Sequence, residues 1–188
     1  AGIARVNGSI TGNTFVNNKY AMQFEQQAPS VISGNTFSGP GDSSMVRLNG
    51  YISGTLKPVE SMGTGGSSYI IKNSDVYVRT GKTLIINPGT VIKFDKGSGA
   101  RGIIVNGTLT ADGKSDSLIY FTSIDDHTVG GSTGDGTPSD DEWEEIYFDG
   151  YYDASYESDV SNSLMDYCVV RYGGENNTGN IYIRNASP

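Results

Sequence analysis

The sequence predicts an all-β solenoid, one chain wound into stacked parallel coils, and three observations carry that prediction. The first is a self-match. Residues 10–15 (ITGNTF) and 32–37 (ISGNTF) are near-identical hexapeptides twenty-two residues apart. A recurrence in the low twenties marks a repeat architecture, in which each unit buries its apolar face only against its neighbours. The second is the content of the repeat. Ile and Phe bracket a Gly-Asn corner in both copies, so two short apolar stretches meet at a sharp turn. No run of good helix formers accompanies them. The third is composition: 26 Gly, 12 Tyr, 36% hydrophobic and 18% charged residues. A narrow interior column ringed by water-facing residues needs less apolar material than a globular core.

Short β-rich runs punctuated by Gly, Asn, Pro and Asp give the strands in order. They are predicted at 21–24, 45–48, 69–71, 76–79, 83–86, 91–94, 102–105, 119–122, 145–148, 168–171 and 180–183, with the hexapeptides supplying corners before them. Asn87-Pro88-Gly89 and Asn106-Gly107 mark turns, because Gly and Asn accept positive φ and Pro presets its own. At about twenty residues per coil, 188 residues make roughly eight coils. The whole chain is read as one domain, with a sub-boundary near 50–68 and a loop inserted at 125–142. The expected core column contains Ile10, Phe15, Ile32, Phe37, Ile85, Val91, Ile104, Leu109, Ile119 and Phe121. No apolar run reaches the eighteen residues of a membrane-spanning helix. The start at Ala1-Gly2-Ile3 has neither Met nor a signal pattern, so the chain is read as mature or excised. Cys168 is the single cysteine, which excludes an internal disulfide framework, and it is expected to pack as a small hydrophobe.

Five segments carry a family resemblance: 76–94 (VYVRTGKTLIINPGTVIKF), 102–113 (GIIVNGTLTADG), 117–123 (SLIYFTS), 143–148 (WEEIYF) and 167–174 (YCVVRYGG). With the hexapeptide coils, they resemble the right-handed parallel β-helix proteins of the pectate-lyase-like superfamily, most closely their non-catalytic secreted repeats. The resemblance covers most of 76–188. It implies a single-stranded right-handed parallel β-helix and an extracellular or cell-surface location. In such proteins the Pro-Gly-Thr block opens a helix and Gly-Asn-Thr-Phe coils stand near its end; here the order is reversed. The chain therefore reads as phase-shifted, either cut from a continuous array or built to stack.

Charge is segregated. Of 21 acidic residues, 15 lie between Asp112 and Asp166, where Lys114 is the only basic residue, and the net charge is −8. That balance disfavours nucleic acid, anionic membranes and polyanionic substrates. It also offers head-to-tail contact between unlike halves of two copies. The densest stretch, 125–142, is expected to project from the coils as a Gly-rich loop. Hard cations want six to eight oxygens, so Asp125, Asp126, Asp135, Asp140 and Asp141 are candidate ligands for Ca²⁺. The lone His127 has no partner for a zinc site and is expected to be a plain loop residue. A cluster of Tyr near Trp143 offers rings for stacking on sugars, with Trp143, Tyr151, Tyr152 and Tyr156 as candidate glycan-binding residues. Asn7, Asn106, Asn176 and Asn185 head Asn-x-Ser/Thr sequons and would mark exposed turns on a secreted surface.

These features make an extracellular structural module the leading functional expectation, with other copies of itself, stacked head-to-tail, or neighbouring repeats of a larger chain as partners. A glycan-binding or adhesin module is the alternative. A polysaccharide lyase or glycoside hydrolase comes next, and enzymatic activity is not expected. The Asn-Thr-Asp and Gly-His-Gly motifs of polygalacturonases are absent, and the acidic span lacks the Arg or Lys base that a pectate-lyase-like site uses.

Overall fold

The computed structural model describes residues 8–18, 20–26, 31–38, 45–58, 68–96, 102–150, 159–175 and 178–185. Its strands are β1 (Ser9–Thr11), β2 (Thr14–Val16), β3 (Met22–Glu25), β4 (Val31–Ser33), β5 (Thr36–Ser38), β6 (Val46–Tyr51), β7 (Gly54–Leu56), β8 (Tyr69–Val78), β9 (Thr83–Ile86), β10 (Val91–Phe94), β11 (Ile103–Val105), β12 (Thr108–Asp112), β13 (Ile119–Ser123), β14 (Ile146–Asp149), β15 (Leu164–Asp166), β16 (Cys168–Val170) and β17 (Ile181–Arg184). A short 3-10 turn spans Asp159–Asn162.

Among the described residues every strand pairing is parallel, and the pairs join strands about one coil apart in sequence. This is an all-β architecture of curled parallel sheets, the arrangement of a β-solenoid. One face stacks Met22, Val46, Tyr69, Ile92, Phe121 and Val170 in register. A second stacks Gly50, Val76, Ile103, Ile146 and Ile181. A third is built from β7, β9, β12 and β15. The first face has six rungs among the described residues, fewer than the roughly eight coils expected. Coils are longer than twenty residues, and the step from β13 to β16 also contains the 125–142 loop and residues 150–163.

The hexapeptides explain themselves physically. Ile10 pairs with Ile32 and Phe15 with Phe37, and the two Phe rings stack at 5.1 Å. Gly12 and Gly34 sit at the corner with φ of +67° and +60°, where a side chain is strained. Asn35, 2% exposed, links the coils: its amide donates to the Ile10 carbonyl at 2.7 Å, and its oxygen accepts the Asn13 backbone N–H at 3.0 Å. Such a bond satisfies backbone groups that a tight corner would otherwise strand.

The core column is one continuous cluster, including Leu48, Val76, Leu84, Ile92, Leu109, Phe121 and Ile146. Phe37, Leu109, Ile119 and Phe121 lie in it as expected, with Ile10 and Phe15 packed against it half-buried. Three expected members are misplaced. Ile85 is 38% exposed, and Val91 and Ile104 are partly exposed. In β9 and β11 it is Leu84, Ile86, Ile103 and Val105 that face inward, because alternate residues of a strand point to opposite sides. The side chain of Ile32 lies outside what is described. The separate strands expected at 69–71 and 76–79 are one ten-residue strand, β8, in which Asn73 takes φ +62° and carries the chain from the first face to the second.

Candidate functional site

Two surfaces concentrate chemistry: the 125–142 loop over the outside of the first face, and the outside of the second face.

The loop does not project. It lies back on the sheet, so close that a Cβ on Gly130 would meet Val91 Cγ1 at 2.7 Å and Ser68 Cβ at 3.1 Å. Ile124 packs with the buried Met45 and Ile70 in a second small core on the sheet's outer side. The pin is Lys93, the outward residue between Ile92 and Phe94 in β10. Its Nζ is covered by the loop and donates to the Asp126 carbonyl at 2.7 Å, the Gly131 carbonyl at 2.7 Å and Thr133 Oγ1 at 2.8 Å. An ammonium has three donors and no acceptor, and here all three are used. Burial outweighs the nearby Asp126 and Asp125 charges and lowers the Lys93 pKa to about 8. The sequence reading missed Lys93; its one signal was a cation at an outward strand position upstream of a long acidic loop.

Asp126 is fully buried at its side chain. Oδ1 accepts the Thr128 N–H at 3.0 Å and Thr128 Oγ1 at 2.6 Å, while Oδ2 accepts Thr122 Oγ1 at 2.7 Å and an Arg171 Nη2. Burial alone would raise its pKa, but the Thr128, Thr122 and Arg171 hydrogen bonds together bring it down to about 2. Asp125, 4% exposed, accepts the Asp135 N–H at 2.7 Å and lies 3.6 Å from Lys96 Nζ. Glu142, also missed, is 1% exposed and accepts the Ser139 N–H at 2.9 Å, Lys96 Nζ at 3.3 Å and the Ser123 hydroxyl. Asp135 is exposed and turned back on Thr137, whose hydroxyl and N–H hold its pKa down. Asp140 and Asp141 are exposed. Among the described residues, no three His, Cys, Asp or Glu gather as a metal-holding group. Of the five candidate ligands, Asp125 and Asp126 are buried and Asp135, Asp140 and Asp141 are exposed, and Lys93, Lys96 and Arg171 reach oxygens of the loop. His127 is exposed, with Nε2 3.3 Å from the Gly134 carbonyl. Cys168 is half-buried, and burial first, then Asp166, pushes its thiol up to about 11.

Trp143 is not a surface ring. It is 0% exposed, stacks on Phe94 at 4.1 Å and donates Nε1–H to the Arg171 carbonyl at 2.9 Å. Tyr151, Tyr152 and Tyr156 lie outside the described residues, as do Asn7 and Asn176. Asn106 is 5% exposed and donates its amide to the Asp149 carbonyl at 3.3 Å, which is not the exposed turn its sequon implied; a tight corner with buried backbone needed that amide. Asn185 is exposed at the end of β17 with φ +50°.

The outside of the second face carries a different aromatic set. Tyr51, Tyr77, Ile104, Tyr147 and Tyr182 occupy one outward position on five consecutive rungs. Tyr51 and Tyr77 lie 5.5 Å apart between centroids, and Tyr147 and Tyr182 lie 5.0 Å apart. The Arg79 guanidinium sits 3.3 Å over the Tyr51 ring and that of Arg184 sits 5.4 Å from the Tyr147 ring. Arg184 is paired with Asp149 at 3.0 Å. The Tyr77 hydroxyl donates to Asp75 Oδ2 at 3.1 Å. Burial first, then the Asp75 carboxylate, pushes that phenol up to about 12. Of these Tyr, only Tyr147 belongs to the sequence-local cluster near Trp143.

No protein-family model, no curated protein and no solved structure matches the chain.

Proposed function

We propose that the chain is an extracellular structural module, a right-handed parallel β-helix that lengthens end-on. Its last described coil is covered by the first coil of a second copy or by a neighbouring repeat of a longer chain. The observation that carries the reading is the state of β17. Ile181 and Ile183 sit at interior positions, in register with Ile146 and Phe148, which are 0% and 2% exposed. Yet Ile181 is 42% and Ile183 48% exposed. Met165, Cys168 and Val170 in the same coil are only half-buried, although their register partners Ala111, Ile119 and Phe121 are fully buried. An apolar interior row with an open strand edge is a template for another parallel strand. Addition of a second copy there is heterologous, and contacts of that kind that do not close give a filament. Within the chain, Lys96 and Arg171 already pair with Asp125 and Asp126.

Electron microscopy and sedimentation velocity test self-addition, with Ile183→Asp as the control. The substitution is at an exposed position and should leave the fold intact. Linear assemblies in the parent and monomers in the variant are expected. Monomers in both, at any salt concentration, would reject self-addition.

A further inference from the structure

The tyrosine row on the second face has one rung without a ring. Tyr77 and Tyr147 flank Ile104 on consecutive rungs. Strands in a sheet are about 4.8 Å apart, so those two rings stand roughly 9.6 Å apart across the gap. A ring placed midway lies about 4.8 Å from each, inside the range at which rings stack. The row already packs at that distance, with Tyr147 and Tyr182 at 5.0 Å. Ile104, Tyr77 and Tyr147 are all partly exposed, so floor and walls reach solvent.

We propose that this gap is a sugar-binding slot, taking one pyranose ring of a neutral polysaccharide between Tyr77 and Tyr147 with Ile104 beneath it. Polar groups flank the slot on the same rungs. Asp75 Oδ2 accepts the Tyr77 hydroxyl at 3.1 Å, and Glu145 Oε2 accepts Thr178 Oγ1 at 2.8 Å. Asp75 is 6% exposed and also accepts the Gly102 N–H at 3.0 Å, so it fixes the Tyr77 phenol, whereas the half-buried Glu145, with about four lone-pair sites on its carboxylate, retains capacity for sugar hydroxyls. An aromatic wall with hydroxyl acceptors at its rim fits a pyranose, which is apolar on its faces and polar around its edge. Neutrality follows from charge at the slot itself: Asp75, Glu144 and Glu145 lie beside Tyr77 and Tyr147, while Asp149 is paired with Arg184, so a polyuronate ring in the slot would meet like charges. The row spans four rung spacings from Tyr51 to Tyr182, about 19 Å, so an extended chain following the solenoid axis passes Arg79 and Arg184 on its way. The slot is independent of end-on stacking, and its failure would leave that reading untouched.

Affinity electrophoresis in gels containing hydroxyethylcellulose, xyloglucan or polygalacturonate tests the slot. Retardation is expected in at least one neutral gel and not in polygalacturonate. The diagnostic variant is Ile104→Tyr, which fills the gap with a ring. Its melting temperature should be equal or higher, because it adds a cross-strand aromatic to an outward position, while glycan affinity falls about tenfold. Tyr77→Ala and Tyr147→Ala should weaken binding similarly. The proposal is overturned by no retardation in either neutral gel, by retardation that Ile104→Tyr leaves unchanged, or by strongest retardation in polygalacturonate. It is equally overturned if Ile104→Tyr abolishes self-association with no glycan effect, since the slot would then hold another protein's ring.

Discussion

Replacing Asp126 with Asn should loosen the loop from the sheet, and the cost can be worked from its contacts. Each carboxylate oxygen accepts two donors: Thr128 N–H and Oγ1 on Oδ1, Thr122 Oγ1 and Arg171 Nη2 on Oδ2. An Asn amide keeps one oxygen and turns its nitrogen toward the other pair, so two donors lose their acceptor whichever way it faces. Arg171 also loses its buried counter-charge, although its own side chain is 31% exposed and water offsets part of that loss. Thr128 is exposed, Arg171 is partly so, and a Thr hydroxyl can turn to accept from the new amide, so at about 1 kcal/mol for each bond lost the destabilisation is about 1–2 kcal/mol. At about 2–4 °C per kcal/mol for a chain of this size, the melting temperature should fall by about 2–8 °C. The pH dependence is an independent readout. The Asp126 pKa is about 2 in the fold against an ordinary 3.8. A lowered carboxyl contributes stability that is fully present above pH ~4 and is lost as pH falls toward ~2, here about 2 kcal/mol. Thermal melts of both proteins between neutral pH and pH ~2 check both numbers. A variant melting within about 1 °C of the parent, or parallel curves through the acid window, would refute the claim that Asp126 pins the loop.

The hexapeptides were legible because their pattern is local: a positive-φ Gly, an Asn able to bridge coils and flanking Ile and Phe all lie within six residues. Strands 83–86 and 91–94 were legible for the same reason. Which side each residue faces was not. Leu84-Ile85-Ile86 and Ile103-Ile104-Val105 are apolar at every position, so composition cannot choose the parity; the parallel partners do, and a slip of one residue exchanges inside for outside. Strands β7, β12 and β15 escaped because Thr, Gly and Asp interrupt them, and only their alignment with β9 makes them strands. The tyrosine row was invisible for a stronger reason. Tyr51, Tyr77, Tyr147 and Tyr182 are adjacent only through register, whereas the cluster obvious in sequence surrounds a Trp143 that is buried. The loop's anchor was illegible for the same reason: Lys93, which gathers its oxygens, lies thirty-three residues upstream of Asp126 and meets them only through the fold.

Calcium at millimolar concentration is expected to leave the melting temperature within about 1 °C, because Asp125, Asp126 and Glu142 already accept protein donors; a rise of several degrees that Asp125→Asn abolishes would establish a calcium site there. Emission from Trp143, the chain's only Trp, should be blue-shifted and resist acrylamide quenching, and it should not respond to glycans. A red, readily quenched emission would return that ring to the surface. The sharpest test of register compares two neighbours in β9. Leu84 is 0% exposed and stacks in register with Leu109 on the next rung, so Leu84→Ala removes buried methyl groups and leaves a cavity that stacked coils cannot collapse, at a cost of about 2–5 kcal/mol. Ile85, one residue on, faces outward at 38% exposure, so Ile85→Lys keeps its stem along the sheet and its charge in water, changing stability by no more than about 1 kcal/mol. Denaturant midpoints at constant slope separate the two outcomes. If Ile85→Lys unfolds the chain while Leu84→Ala is tolerated, β9 is slipped by one residue, and every outward assignment made through its partners β7 and β12 is reversed with it.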